Sequence, residues 1–157
     1  MRRPTILAIA LLGWCVSTAP AAEPITRPAA RAALHKAVNF FRKTVSADGG
    51  YLWRYSHDLK RREGEGKAGP GTSWVQPPGT PTVGEGLLGA WLTCGDPVLR
   101  DAAVHAGHHL VGGQLRSGGW DYRIETDPER RKSYAYRIGG NPEGRNRTTL
   151  DDNTTQS

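Results

Sequence analysis

Two adjacent carboxylates, Asp151 and Asp152, stand among hydroxyl and amide side chains near the end of the 157-residue chain. One interpretation is a helix N-terminus, because a side-chain oxygen caps orphan N–H groups and the helix dipole favours acids in the first turn. The other is a calcium site, because calcium takes carboxylate oxygens. A cap needs one acid, and two neighbouring carboxylates repel each other unless a cation or arginine is close. The pair is the first candidate for metal binding.

Three histidines, His105, His108 and His109, form a second group with ligand-like spacing. Residues at i and i+4 of a helix share a face, which zinc sites use. No acid lies between His105 and His109, and the neighbouring sequence offers no evident further ligand. We therefore predict that these histidines are packed or half-exposed and bind no metal.

The N-terminal segment has the order of a secretory signal. Arg2 and Arg3 precede an apolar run over residues 6–16, and the small residues Ala19-Pro20-Ala21 form a cleavage site. The run is too short to span a bilayer, which argues against a membrane anchor. We expect residues 1–21 to be removed and the mature protein to be secreted or periplasmic, with no further association with the membrane.

Removal of this segment also changes the charge and the cysteine content. It takes two arginines, which lowers the formal net charge from +6 to +4, and it takes Cys15, which leaves Cys94 without a disulfide partner. The remaining positive charge suits an acidic polymer in solution. No basic run interleaved with aromatic residues indicates nucleic acid as a partner.

Apolar periodicity predicts three helices, over residues 28–45, 80–92 and 97–111. Glu85 is the only charged residue of the second helix, so we expect that helix to be buried on most sides. Long polar loops over residues 56–80 and 124–147 follow the first and third helices.

An internal repeat organises these elements. A Gly-Gly-aromatic turn recurs with an offset of 69 residues, from Gly49 to Gly118, and a Thr-apolar-x-acid stretch recurs with an offset of 67, from Thr82 to Thr149. Repeated two-helix units are typical of stacked or ring-closed helical arrays. We predict an all-α fold, an α/α toroid of helical hairpins that is incomplete here, as expected for the N-terminal part of a longer protein. Its loops would line one mouth, where ligands bind.

The stretch from Gln114 to Trp120, followed by a loop and by residues 149–156, resembles the pectate lyases of polysaccharide lyase family 10, also called pectic acid lyases. The resemblance runs from about Leu34 to the end of the chain. It implies an α/α toroid over residues 22–157 that cleaves polygalacturonate by calcium-assisted β-elimination. The family's catalytic base is an arginine that matches no residue here, so the catalytic residue is unknown.

The resemblance also implies a binding site. Asp151 and Asp152 would form its calcium- and substrate-binding wall. Guanidinium groups bind carboxylates bidentately, and aromatic rings offer flat apolar faces on which sugars stack. Five arginines lie near the predicted mouth: Arg54, Arg123, Arg137, Arg145 and Arg147. We predict substrate contacts for four residues of this region: Arg123, Arg147, Trp120 and Tyr122.

Two other functions stay open. A terpene-cyclase-like toroid also carries Gln…Gly-x-Trp turns, but here the distance from Gln114 to Trp120 is one residue short, and a polar mouth suits an oily substrate poorly. A non-catalytic glycan-binding toroid would keep the fold without the base.

Overall fold

The computed structural model describes residues 24–151 and 153–155. The predicted signal segment, residues 1–21, and the predicted metal ligand Asp152 lie outside these residues. Within the described part of the chain, no helix is long and apolar enough to cross a membrane.

The predicted helices are present and begin where capping residues favour them. Helix α1 spans Arg27–Phe40 and continues as a π-helical turn, Phe41–Val45. Helices α2 (Thr80–Cys94) and α3 (Pro97–Gly112) follow, and α4 (Pro128–Arg131) is a short addition. The Asp96 carboxylate accepts a hydrogen bond from the N–H of Val98 at 3.1 Å, and a proline at the first position of α3 needs no partner for its nitrogen.

The prediction of an all-α fold is wrong, because both long loops contain strands. Strand β1 (Arg54–Tyr55) pairs with β2 (Arg62–Glu63), and β3 (Thr72–Trp74) pairs with β4 (Arg123–Glu125), both antiparallel. Buried backbone groups must find hydrogen-bond partners, and a loop that is packed against a core finds them in a neighbouring strand. The described chain is therefore a mixed α/β structure.

The predicted toroid is also wrong, since the helices of the described residues form no ring. Helices α2 and α3 pack as an antiparallel hairpin, and α1 packs beside them through a core of Val38, Leu99 and Ala102. A second core lies under the β3–β4 pair and the following loop, and it consists of Val75, Leu115, Ile124, Tyr134 and Tyr136. The second core exists because the two loops pair with each other instead of lining the mouth of a ring.

The few charges of helix α2 led us to expect that it is buried on most sides, and this prediction is wrong. Leu88 is 44% exposed and Leu92 is 71% exposed, and the only buried residues of the helix are Thr80 and Pro81 at its start. A low charge content allows burial but does not supply a packing partner, and within the described residues α3 covers only one side of α2.

The Gly-Gly-aromatic turns of the predicted repeat adopt similar conformations. The first glycine has a positive φ in both units, 84° at Gly49 and 101° at Gly118, which favours glycine over any residue with a Cβ. The aromatic residue that follows the two glycines, Tyr51 or Trp120, makes the same kinds of backbone contact in its own unit. These contacts define which later residues of the two units are equivalent.

The hydrogen bonds correct the register of the second half of the repeat. The backbone carbonyl of the turn's aromatic residue accepts from Trp74 at 2.9 Å in the first unit and from Thr149 at 2.8 Å in the second. Its N–H donates to the hydroxyl of Thr80 at 2.9 Å and of Thr155 at 3.3 Å. The structure therefore pairs Thr149 with Trp74 and not with Thr82.

The same register makes Asp151 the counterpart of Gln76. The backbone carbonyl of Gln76 accepts from Gly79 at 2.9 Å, and that of Asp151 accepts from Thr154 at 3.0 Å. The aromatic residue two positions after the turn reaches both residues, since Trp53 donates to the Gln76 carbonyl at 3.1 Å and Tyr122 donates to the Asp151 carboxylate at 2.7 Å. The predicted site thus occupies a repeated structural position.

Candidate functional site

A groove of about 820 Å³ opens beside the second Gly-Gly-aromatic turn. Two segments form it, one just before β4 and one near the end of the described chain. Its lining residues are Asp121, Tyr122, Arg145, Arg147, Thr148, Thr149, Leu150 and Asp151. The groove therefore combines two arginines, two carboxylates and hydroxyl groups.

The replacement of Trp74 by Thr149 at equivalent positions distinguishes the two units. Trp74 is buried, and its ring packs edge-on against Trp53 with ring centroids 6.0 Å apart. Thr149 is much smaller and lines the groove. The second unit thus lacks the large side chain that fills the first.

Arg145 is held in the groove from two directions. Its Nη1 lies 3.3 Å from Oδ2 of Asp121, and its guanidinium lies over the Tyr134 ring, 5.5 Å from the centroid. The Asp121 side chain is 9% exposed whereas that of Arg145 is 61% exposed, so the pair joins an almost buried anion to an accessible cation. This ion pair places a positive charge at the groove surface.

Asp151 accepts a hydrogen bond from the Tyr122 hydroxyl at 2.7 Å. The described residues from Asp151 onward form turns and no helix, with the N–H of Thr154 donating to the Asp151 carbonyl. The carboxylate therefore contacts a side chain of the groove and caps no helix within the described residues.

Three of the predicted site residues, Tyr122, Arg147 and Asp151, line one groove, and two do not. The indole N–H of Trp120 donates to the Leu110 carbonyl at 2.8 Å, and the ring packs against the second core. The Arg123 guanidinium lies 4.9 Å from the centroid of the Trp74 ring. Tyr122 therefore lines the groove, whereas Arg123 packs on the Trp74 ring of the neighbouring strand.

Asp121 is a groove residue that was not predicted from the sequence, and Arg145 was predicted only as one of the wider group of arginines. Asp121 directly precedes Tyr122, and it is the only acid between Gln114 and Ile124. That isolated charge beside a buried turn was the available signal. Its partnership with Arg145 spans 24 residues and is visible only in the fold.

Two of the three predicted histidines, His105 and His109, pack against the first Gly-Gly turn, whereas His108 is exposed. The carbonyl of Asp48 can only accept, so the Nδ1 of His109 carries the proton that it shares with that carbonyl at 2.9 Å. The Nε2 of His109 then accepts from the Ser73 hydroxyl at 2.6 Å. Burial lowers the pKa of His109 from 6.5 to about 4, which keeps the ring neutral.

His105 contacts the same residue, Asp48, through the Asp48 side chain. Its Nε2 lies 3.1 Å from the Asp48 carboxylate. Among the residues that the structure describes, no group of three or more His, Cys, Asp or Glu side chains is arranged to hold a metal ion.

The groove residues present do not by themselves form a calcium site. Calcium takes six to eight oxygen ligands, mainly carboxylates and carbonyls. Asp121 is paired with Arg145, so Asp151 is the one groove carboxylate among the described residues that has no arginine partner. The calcium site stays a prediction, and it also involves Asp152, outside the described residues.

The groove has the chemistry of a site for an anionic, hydroxyl-rich ligand. Arginines bind carboxylates in a fixed planar geometry, and carboxylates and threonine hydroxyls accept hydrogen bonds from sugar hydroxyls.

Comparisons with models of known protein families, with curated proteins and with solved structures find no match to this chain.

Proposed function

We propose that the groove binds the uronate units of an acidic polysaccharide of the polygalacturonate type. The observation that carries this proposal is the accessible guanidinium of Arg145, fixed by Asp121 in a groove that Arg147 also lines. A uronate unit needs a cation for its carboxylate and hydrogen-bond partners for its hydroxyls. The groove offers both, because Asp151 and Thr148 lie among the same lining residues.

The arginines and the oxygen-bearing side chains of the groove recognise different groups of the ligand. Arg145 and Arg147 bind the carboxylate, which neutral sugars lack. Asp151 and the threonine hydroxyls bind sugar hydroxyls, which simple carboxylates lack. The Tyr122 hydroxyl orients Asp151 by a 2.7 Å hydrogen bond, so that its second oxygen is presented to the ligand.

We further propose, from the resemblance to the pectate lyases, that the protein takes part in β-elimination of polygalacturonate outside the cytoplasm. In this reaction a base removes the proton α to the uronate carboxylate, and the glycosidic oxygen on the β carbon leaves. Negative charge builds on the carboxylate, and nearby arginines stabilise it. The described residues supply this stabilisation, and none of them is assigned as the base.

The test compares ligands that differ in one group. Calorimetric titration of the full chain should detect binding of oligogalacturonate. Galactose oligomers of equal length should bind at least about tenfold more weakly, because they lack the charge-assisted hydrogen bonds to an arginine, which contribute about 1.5–3 kcal/mol. Asp151→Asn should weaken oligogalacturonate binding by about threefold to tenfold without lowering the melting temperature. Asp58→Asn, at an exposed carboxylate of the β1–β2 hairpin, is the matched control.

Equal affinity for the charged and neutral oligomers would overturn the proposal. Cleavage is measured separately, as the rise in ultraviolet absorbance of the unsaturated product with and without calcium. Binding without that rise would favour a glycan-binding protein that does not cleave its ligand.

A further inference from the structure

Two arginines of the groove differ sharply in how they are held. Arg145 contacts Asp121 and Tyr134, and its backbone N–H and carbonyl pair with Ser133 and Ala135 at 2.8 and 2.9 Å. Arg147 lies two residues further on, and within the described residues its side chain makes no hydrogen bond, ion pair or ring contact. One cation of the groove is fixed before any ligand arrives, and the other is not.

The support under Arg145 continues into the protein as a stack of four side chains. The Tyr134 ring stacks on Tyr136, with ring centroids 5.2 Å apart and an angle of 15° between the planes. Arg131 lies over the other tyrosine, 4.5 Å from the Tyr136 centroid. The order is therefore Arg145, Tyr134, Tyr136, Arg131, and we call these four residues the arginine–tyrosine stack.

The inner end of the arginine–tyrosine stack is firmly anchored. Arg131 donates to three backbone carbonyls, those of Glu125 at 3.0 Å, Gly112 at 3.1 Å and Ile138 at 2.7 Å. The Tyr136 hydroxyl accepts from the Glu125 N–H at 3.0 Å, and both tyrosines are buried. The outer face of Tyr134 is consequently a rigid platform for the guanidinium.

Asp121 supplies the second constraint. It is almost buried and lies directly after Trp120, whose own position is fixed by the Leu110 carbonyl. Asp121 contacts Nη1 of Arg145, while the guanidinium carbon of Arg145 lies over the Tyr134 ring. A guanidinium has five N–H donors, and the Asp121 contact uses one of them. The remaining donors are available to a ligand in the groove.

We propose that Asp121 and Tyr134 are positioning residues that hold Arg145 as the preorganised carboxylate-binding group of the groove, while Arg147 orders only when ligand binds. This inference rests on the proposed function for the identity of the ligand. Ordering a flexible side chain on binding costs about 0.5–1.5 kcal/mol. A group that is ordered in advance avoids that cost, so loss of the support should weaken binding even though neither Tyr134 nor its hydroxyl touches the ligand.

The first experiment needs no ligand. Nitrogen-15 relaxation of the arginine Nε–Hε groups in the free full-length protein should show Arg145 ordered and Arg147 mobile. Tyr134→Leu removes the platform and should make the Arg145 signal as mobile as that of Arg147. Tyr134→Phe keeps the ring and should keep Arg145 ordered. Tyr55→Leu is the matched control, because Tyr55 also lies under an arginine, Arg62 at 5.7 Å, and belongs to the β1–β2 hairpin, which does not line the groove.

The second experiment measures oligogalacturonate binding by the same variants. Tyr134→Leu should weaken binding by about fivefold to tenfold, and Tyr134→Phe and Tyr55→Leu by less than about twofold. Asp121→Asn, which keeps the side-chain shape and removes the charge, should also mobilise Arg145, and it provides the test if Tyr134→Leu fails to fold.

The outcomes separate this inference from the proposed function. An Arg145 signal that is mobile in the wild type, or unchanged in both Tyr134→Leu and Asp121→Asn, would overturn the positioning role whatever the ligand. An ordered Arg145 that becomes mobile in these variants, in a protein that binds no uronate, would support the positioning role and reject the proposed ligand. Equal weakening by Tyr134→Phe and Tyr134→Leu would reject the ring as the support.

Discussion

His109 is a residue whose neutral state the fold requires. It is 6% exposed, and it donates through Nδ1 to the Asp48 carbonyl while accepting through Nε2 from the Ser73 hydroxyl. A proton on Nε2 would turn that nitrogen into a donor and would place a charge in a buried site. Burial therefore lowers the pKa of His109 to about 4. The contact connects α3 to β3 and to the first Gly-Gly turn.

We expect this histidine to make stability depend on pH. Between about pH 6.5 and about pH 4 the unfolded chain binds a proton that the folded chain does not, so the free energy of unfolding should fall by about 3 kcal/mol as the pH drops through that range. Urea unfolding at pH 7.5 and pH 4.5 measures the difference. His109→Gln should lose most of the pH dependence, and His108→Gln, at an exposed position, should keep it. An equal change in the free energy of unfolding between the two pH values for the wild type and His109→Gln would contradict the assignment of this pH dependence to His109.

At the scale of elements, the two Gly-Gly-aromatic turns and the β3–β4 pair connect the repeated units. Each turn depends on a glycine with positive φ, at Gly49 and at Gly118. Their surroundings differ. A Cβ at Gly49 would lie 2.6 Å from the carbonyl oxygen of His105, whereas a Cβ at Gly118 would meet no atom within 4 Å. The first glycine of the first turn packs against α3, and the first glycine of the second turn faces open space.

The difference predicts unequal effects of the same substitution. Gly118→Ala should cost about 1–2 kcal/mol, because only the backbone conformation is strained. Gly49→Ala should cost at least about 1–3 kcal/mol more, because the new methyl group also overlaps backbone atoms that cannot move aside. Chemical denaturation of the two variants gives the comparison. Equal losses would show that the contact with α3 does not constrain the first turn.

At the scale of the whole molecule, the hairpin of α2 and α3 leaves an apolar face in solvent. Leu88, Leu92, Val104 and Val111 are between 44% and 71% exposed, although Leu99 on the inner side is 2% exposed. Large exposed apolar patches on a soluble protein mark interaction surfaces or aggregation-prone sites. The hydrophobic contribution to stability therefore comes from the two cores and little from this face.

We expect the protein, as residues 22–157, to bind a dye that reports apolar surface. Leu92→Gln should reduce the dye signal and change the free energy of unfolding by less than about 0.5 kcal/mol, because that side chain is already in water. Leu99→Ala, in the helical core, should cost about 2–5 kcal/mol. A monomer with no dye binding, or a large loss of stability in Leu92→Gln, would show that the face is covered.

Local sequence signals determined the helices of this protein. Periodicity, prolines and capping residues act over a few positions, so α1, α2 and α3 begin within a few residues of their predicted starts. The recurring Gly-Gly-aromatic sequence revealed a repeat because the positive φ at Gly49 and Gly118 favours glycine in both turns. The predicted site residues Tyr122, Arg147 and Asp151 were chosen from the carboxylate pair, the predicted mouth and the family resemblance, and they line one groove.

Only the tertiary structure decided the fold class, the register of the repeat and the partners of the charges. Strands β3 and β4 lie about fifty residues apart, and their pairing depends on long-range backbone hydrogen bonds that no local pattern encodes. The equivalence of Asp151 with Gln76 depends on the same bonds. Likewise Arg145 is one of many arginines in the sequence, and it becomes distinct because folding brings its guanidinium next to Asp121 and over the Tyr134 ring.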